Sequence, residues 1–421
     1  MIQKWVFDNG ANVLLDAFDT TGTASVGFWF LHGSRDEQES QRGVSHFLEH
    51  MLFKGTLRRD AFNIAREIDR VGGMLNAFTE KEITCFYITL PKEHISLALD
   101  VLSDMIFHST LAAEEMEKEK SVIINEILSS LDSPDELAHE LYLSSIWGNH
   151  PLAQKITGDV EDLKGSTRAE LLEVYSERFV PSNLVIAAAG AFEPQRMADL
   201  IYAKIGAAQD RSFTKHRSAP SAGRFLRHEP SRFNQIQVYA GTDLGIPQGD
   251  HSRHYDALVF SNAVGETMSS RLFQEIREKQ ALCYSIACFR SLFTDAALWT
   301  IYCNTTPAQT SSMLAALNME LSRLLTHPLS ETEIEDAKSH LAGSLTMARE
   351  DMEIRMKRLV RLHSMSLEII EFEQSLGYIK SVSIDGVDRI VQDVVSKTQF
   401  NLLVYGGEKI NNFEDYGFTF A

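Results

Sequence analysis

His46-Phe47-Leu48-Glu49-His50 sets two imidazoles four residues apart with a carboxylate between them. On a helix, positions i and i+4 share a face, so both rings project the same way. Two such rings can fill two corners of a tetrahedral zinc site. Glu49, three residues after His46, stands where it can take a proton from a water at that metal. The order His-x-x-Glu-His inverts the commoner His-Glu-x-x-His motif and asks for similar geometry. With 14 histidines in the chain, five residues alone are a weak signal.

A catalytic zinc needs a third protein ligand and one open position. The stretch from Ala112 to Leu131 has helical apolar periodicity. It carries Glu119 and Glu126, seven residues apart and hence on one face. Glu126 falls in Val122-Ile123-Ile124-Asn125-Glu126-Ile127-Leu128. An acid in so apolar a run seldom lacks a partner, which makes Glu126 the expected third ligand. Glu114, Glu115 and Glu117 read as a solvated face.

The elements that must hold these residues alternate as strands, helices and strands rather than as regular βαβ units. Asp8-Asn9-Gly10 predicts a hairpin turn. Residues 24–31 predict a strand, 43–53 the motif helix, and 60–71 a helix stopped by Gly72-Gly73. Residues 75–90 predict a hairpin rich in Thr, Ile, Phe and Tyr. Helices are expected over 95–107 and 112–131, and another with Ser133 as N-cap and Pro134 in its first turn. Leu184 to Gly190 reads as a buried strand.

Residues 206–230 lack periodicity and have a linker composition. Beyond them the pattern of the first half returns. Leu111, Glu115, Glu117, Lys120 and Ser121 match Leu329, Glu333, Glu335, Lys338 and Ser339 at one offset of 218. A duplicated α+β domain is the expectation: residues 1–210, a linker over 211–230, and a second copy over 231–421. Ser344 stands opposite Glu126, Ala337 stands opposite Glu119, and the second half has no His-x-x-Glu-His. Only the first half is equipped for metal.

The chain carries 40 basic and 58 acidic residues, a formal charge of −18. Such a balance argues against nucleic acid and anionic membrane surfaces as partners. The apolar start is too short for a signal sequence, and no later window has the length of a membrane span. Cys85, Cys283, Cys288 and Cys303 show no CxxC spacing and sit in apolar contexts. A reducing, cytoplasmic setting is expected.

The run Gly43-Val44-Ser45-His46-Phe47-Leu48-Glu49-His50-Met51-Leu52-Phe53-Lys54-Gly55-Thr56, with the segment Glu119 to Glu126 at the family's separation, resembles the pitrilysin-like metallopeptidases. The similarity runs over essentially the whole chain, and the length looks like the short-chain branch. The resemblance implies two homologous domains, each a mainly antiparallel sheet packed with helices, paired into a clamshell-like dimer. It implies one zinc ion per chain on His46, His50 and Glu126, Glu49 as base, and Glu119 orienting the site from behind the ligands. Leu75-Asn76-Ala77-Phe78-Thr79 resembles the family's edge strand, so Asn76 and Ala77 would hold an extended peptide by strand addition. Arg277 and Tyr284 match the family's arginine and tyrosine, which reach the active site from the opposite half of the chamber. Both sets occur in one chain, which favours a homodimer over a heterodimer with a homologue. The alternative within the fold is a non-catalytic assembly subunit. The chain departs from the family at Ala263-Val264-Gly265-Glu266-Thr267-Met268, and at Ala281 and Cys283, which bears on substrate preference.

Overall fold

Asp8-Asn9-Gly10 reverses the chain with Gly10 at a φ of +90°, a conformation that favours glycine. The turn joins β1 (Ile2–Val6) to β2 (Asn12–Ala17) as an antiparallel pair. This computed structural model describes residues 2–209, 213–246, 249–395, 400–407 and 412–418. β3 (Thr23–Phe30), β4 (Met74–Thr79), β5 (Thr84–Pro91) and β6 (Leu184–Gly190) complete a six-stranded sheet in the order β1-β2-β6-β3-β5-β4. Within it β2 and β6 pair in parallel, and the other neighbours are antiparallel.

β7 (Leu226–Glu229), β8 (Ile236–Asp243), β9 (Ser285–Leu292), β10 (Ala297–Thr305) and β11 (Asn401–Tyr405) form a second sheet, ordered β7-β11-β8-β10-β9. Here the parallel pair is β7 with β11. The fold is α+β, with two like-built sheets. β7 corrects the linker reading of residues 211–230. Leu226-Arg227-His228-Glu229 is charged because it is an edge strand, half-buried throughout, and such edges need no apolar alternation. The expected boundary at residues 210–211 lies outside the described residues.

Each sheet packs one face on its own helices. Val26, Phe28, Phe30, Phe86 and Ile88 meet Phe47, Leu48, Met51 and Leu52 of the motif helix (Val44–Leu52), all buried. The opposite faces are covered by exchange. The helix Pro134–Trp147 lays Ala138, Tyr142 and Ile146 against Tyr239, Leu298 and Leu403 of the second sheet. The helix Met352–Ser364, which begins 218 residues later, lays Met352, Met356, Leu359 and Val360 against Leu14, Trp29, Tyr87 and Val185 of the first. Arg355 seals this packing with a buried ion pair to Asp16 at 2.8 Å. Neither half completes its core without the other.

A charged cluster joins the halves beside the motif helix. Arg35 holds Asp295 through both guanidinium tips, at 2.6 and 2.7 Å, and holds Glu82 at 2.7 Å. Arg217 bonds Asp36 and Glu82. The loop before the motif helix and the β4–β5 turn are thus tied to the β9–β10 turn of the second sheet.

Candidate metal centre

The motif helix starts at Gly43, whose φ is +81°. A Cβ there would meet the Thr157 carbonyl oxygen at 2.4 Å, so glycine is required by both conformation and space. Glu37 serves the first turn: its two carboxylate oxygens accept the Gly43 and Ser45 N–H groups, each at 2.8 Å. These are donors that a helix start leaves unpaired. Burial pushes the Glu37 carboxyl up to about 7 against those hydrogen bonds.

Phe47, Leu48, Met51 and Leu52 root the helix in the core, which turns His46 and His50 toward a second helix, Ala113–Ser130. Met116, Ile123 and Ile127 are buried on the adjoining face of that helix, next to Glu119. His46, His50 and Glu126 then converge, each offering a ligand atom, with all three atoms within 4.8 Å of one another. Glu126 Oε1 lies 3.7 Å from His46 Nε2, and Glu126 Oε2 lies 3.6 Å from His50 Nε2. Those separations are too long for hydrogen bonds. They lie at and just beyond the spacing of tetrahedral ligand atoms around zinc, about 3.3–3.6 Å for bonds of 2.0–2.2 Å. Burial, with the nearby His50, holds His46 down at about 4, so its ring is neutral at neutral pH, as a ligand must be. Two imidazoles and one carboxylate fit zinc.

Glu119 takes the place behind the ligands. Its Oε1 lies 2.8 Å from His50 Nδ1, which leaves His50 Nε2 to face the centre. Its Oε2 pairs with Lys54 Nζ at 2.6 Å. A carboxylate bonded to the far nitrogen of a ligand imidazole fixes tautomer and ring orientation. Glu126 falls with His46 and His50 as the apolar-run argument expected of an acid with partners, but its surroundings are less core-like than that run suggested. Glu126 is 48% exposed, whereas Glu119 lies inside at 6%. Its apolar neighbours Val122 and Leu128 are themselves exposed.

Glu49 sits beside the cluster, and burial raises its carboxyl above the usual range while Thr79 and His50 oppose the rise. Thr79 Oγ donates to Glu49 Oε2 at 2.6 Å. β4, which carries Asn76, Ala77 and Thr79, is an edge strand whose one neighbour in the sheet is β5. The Ala77 N–H goes to Asn76 Oδ1 at 2.8 Å. Arg277 and Tyr284 belong to the second half, and the structure does not bring them to the cluster within this chain. Arg277 Nε instead donates to the Tyr284 carbonyl oxygen at 2.8 Å, and its guanidinium lies 4.6 Å from the Phe273 ring centroid. The Tyr284 side chain is largely exposed.

Three contributors escaped the sequence reading. Lys54 had a signal, since it stands four residues past His50. Glu37 is an acid six residues before the helix start, and Thr79 showed only strand propensity.

With this geometry in place, similarity to known proteins is decisive. Residues 12–160 match the family model described as Insulinase (Peptidase family M16), and residues 166–341 match that of the Peptidase M16 inactive domain. The uncharacterized zinc protease YmxG of Bacillus subtilis is 34% identical over 358 residues, 85% of this chain and 87% of that protein.

The chain belongs to peptidase family M16.

A second M16 relative, an uncharacterized zinc protease of Streptomyces coelicolor, is 32% identical over 94% of this chain and 88% of its own length. Among solved structures, a protease from Helicobacter pylori superposes with a TM-score of 0.86 at 17% identity, covering 97% of this chain and 99% of that one. A structure titled peptidase M16 inactive domain, from Pseudomonas fluorescens, gives 0.89 at 17% identity over 98% and 99%. Among the described residues no helix is long and apolar enough to cross a membrane.

Proposed function

We propose that this M16 chain is a zinc-dependent endopeptidase that cleaves unfolded or short extended peptides, with one zinc ion per chain. The observation that carries the reading is the convergence of His46, His50 and Glu126 beside a half-buried Glu49 that accepts from Thr79. His46, His50 and Glu126 would hold a zinc ion, which would supply Lewis acidity to the reaction. Glu49 accepts the proton of the attacking water and returns it to the leaving amine. Glu119 and Lys54 keep His50 oriented. The free side of β4 takes the substrate main chain, which only an extended peptide can present.

The assembly we propose is a homodimer in which each metal-bearing half faces the second half of its partner. The exposed Tyr284, carried by a half without the metal motif, supports it. There Tyr284 and Arg277 would donate to the developing oxyanion; one such donor is worth about 2.7–4 kcal/mol. The −18 charge would favour basic peptides if it lines the chamber, an attraction screened over about 10 Å at 0.1 M salt.

The test is hydrolysis of quenched extended peptides, matched acidic and basic, at low and high salt, alongside light scattering. We expect activity lost on chelation and regained with zinc, a dimer, no cleavage of a folded protein, and a basic preference that fades with salt. A fully active monomer refutes the dimer. Equal rates for both peptides at both salts assign the acidity to the outer surface. Stoichiometric zinc without hydrolysis turns the assignment to an assembly subunit.

A further inference from the structure

The β4 edge and the base meet at one side chain. The Glu80 N–H donates to the Ile83 carbonyl at 2.7 Å, closing the turn after β4. In an antiparallel ladder, residues alternate between facing the partner strand and facing away. Leu75, Ala77 and Thr79 are therefore the β4 residues whose main-chain groups face the open side. Ala77 obeys this phase, since its N–H reaches Asn76 Oδ1 rather than β5. Thr79 is the last of the three, and its side chain is the one bonded to Glu49, at 2.6 Å.

We propose that Thr79 is a positioning residue that joins the peptide-binding edge to the base. Its hydroxyl holds Glu49 Oε2 and leaves Oε1 to receive the proton of water. A peptide paired along β4 then lies against the same residue that aims the carboxylate, so substrate seating and base orientation share one rigid strand. β5 supports this strand through a continuous register, Thr79 opposite Thr84 and Ala77 opposite Phe86. The Thr79 hydroxyl is spent on Glu49, while the metal ligand His50 takes its support from Glu119. Loss of the hydroxyl should leave metal binding intact and disturb only the proton transfer. The inference rests on the peptidase reading of this site.

The experiment uses the full-length zinc-loaded protein. Thr79→Val keeps the branched shape that suits a strand and removes the donor, Thr79→Ala removes it in a second way, and Thr79→Ser restores it. Loss of a hydrogen bond to a charged group predicts a fall in kcat of about 10- to 100-fold in Thr79→Val and Thr79→Ala. KM stays near that of the wild type, zinc content by elemental analysis is unchanged, and Thr79→Ser regains most of kcat. In a Glu49→Gln background, Thr79→Val should leave the Kd for an extended peptide unchanged. A Thr79→Val or Thr79→Ala enzyme with unchanged kcat overturns the proposal, as does zinc loss or a weakened peptide Kd that accounts for the fall. A wild type that holds zinc and cleaves no peptide overturns the peptidase reading and this inference with it. An active wild type with unaffected Thr79 variants overturns the inference alone.

Discussion

Lys54→Met isolates the contribution made behind the proposed metal ligands. Lys54 Nζ lies 2.6 Å from Glu119 Oε2, and Glu119 Oε1 lies 2.8 Å from His50 Nδ1. The Glu119 side chain is 6% exposed and that of Lys54 is 28% exposed, so water screens the pair only in part. At an effective dielectric of 20, two charges about 3 Å apart attract by roughly 5 kcal/mol before desolvation is subtracted. Most of that gross figure is offset on burial, and groups behind metal ligands change metal affinity by about 10- to 100-fold, or about 1.4–2.7 kcal/mol. Methionine keeps the length of the stem and removes the ammonium. The assay is zinc Kd by competition with a chromophoric chelator, with thermal unfolding of the zinc-free protein as control. We expect zinc Kd to rise about 10- to 100-fold. An unchanged zinc Kd with a lowered Tm would make Lys54 a structural residue and refute the orientation argument.

Glu126→Gln should lose zinc on dialysis against a chelator, because a ligand charge is gone; retention of zinc would name another third ligand. Glu37 has its carboxyl raised to about 7 in the fold, so between pH 4.5 and 7 the folded state binds more protons than the unfolded state. Its contribution is fully present below about 4.5 and falls by about 3 kcal/mol as pH rises through 7. Urea titrations should therefore show the wild type losing its advantage over Glu37→Gln between about pH 4.5 and 7.5, and a constant difference would contradict the burial argument. Arg355→Met leaves Asp16 buried without its partner and should cost about 3–5 kcal/mol in urea unfolding. A loss below about 1 kcal/mol would mean the pair behaves as a surface contact.

The parts of this structure legible in the sequence are those written in local pattern. The repeat offset of 218 reappears in the helices Ala113–Ser130 and Glu331–Ala348, whose bounds differ by that offset. The i, i+4 histidines do share a face because a helix leaves no alternative, and the seven-residue spacing likewise brings Glu119 and Glu126 to one side. What stayed hidden depends on long-range contact. Lys54 and Glu119 are 65 residues apart, and nothing local marks them as a pair. The exchange of Pro134–Trp147 and Met352–Ser364 between sheets could not be read, because a helix's apolar stripe does not say which sheet it covers. Glu126 was chosen for its apolar neighbours, and it does fall with His46 and His50, although Val122 and Leu128 beside it face solvent while Glu119 lies inside. The charged β7 passed for linker because edge strands carry little apolar signal.

The central claim is that Glu49 acts as base beside a zinc ion held by His46, His50 and Glu126. Glu49→Gln separates metal binding from proton transfer, because the amide keeps the size of the side chain and cannot accept the proton. The measurement pairs elemental zinc analysis of the purified variant with its rate on a quenched extended peptide. We predict one zinc per chain, as in the wild type, and hydrolysis reduced to background. Full activity at stoichiometric zinc would contradict the assignment of Glu49.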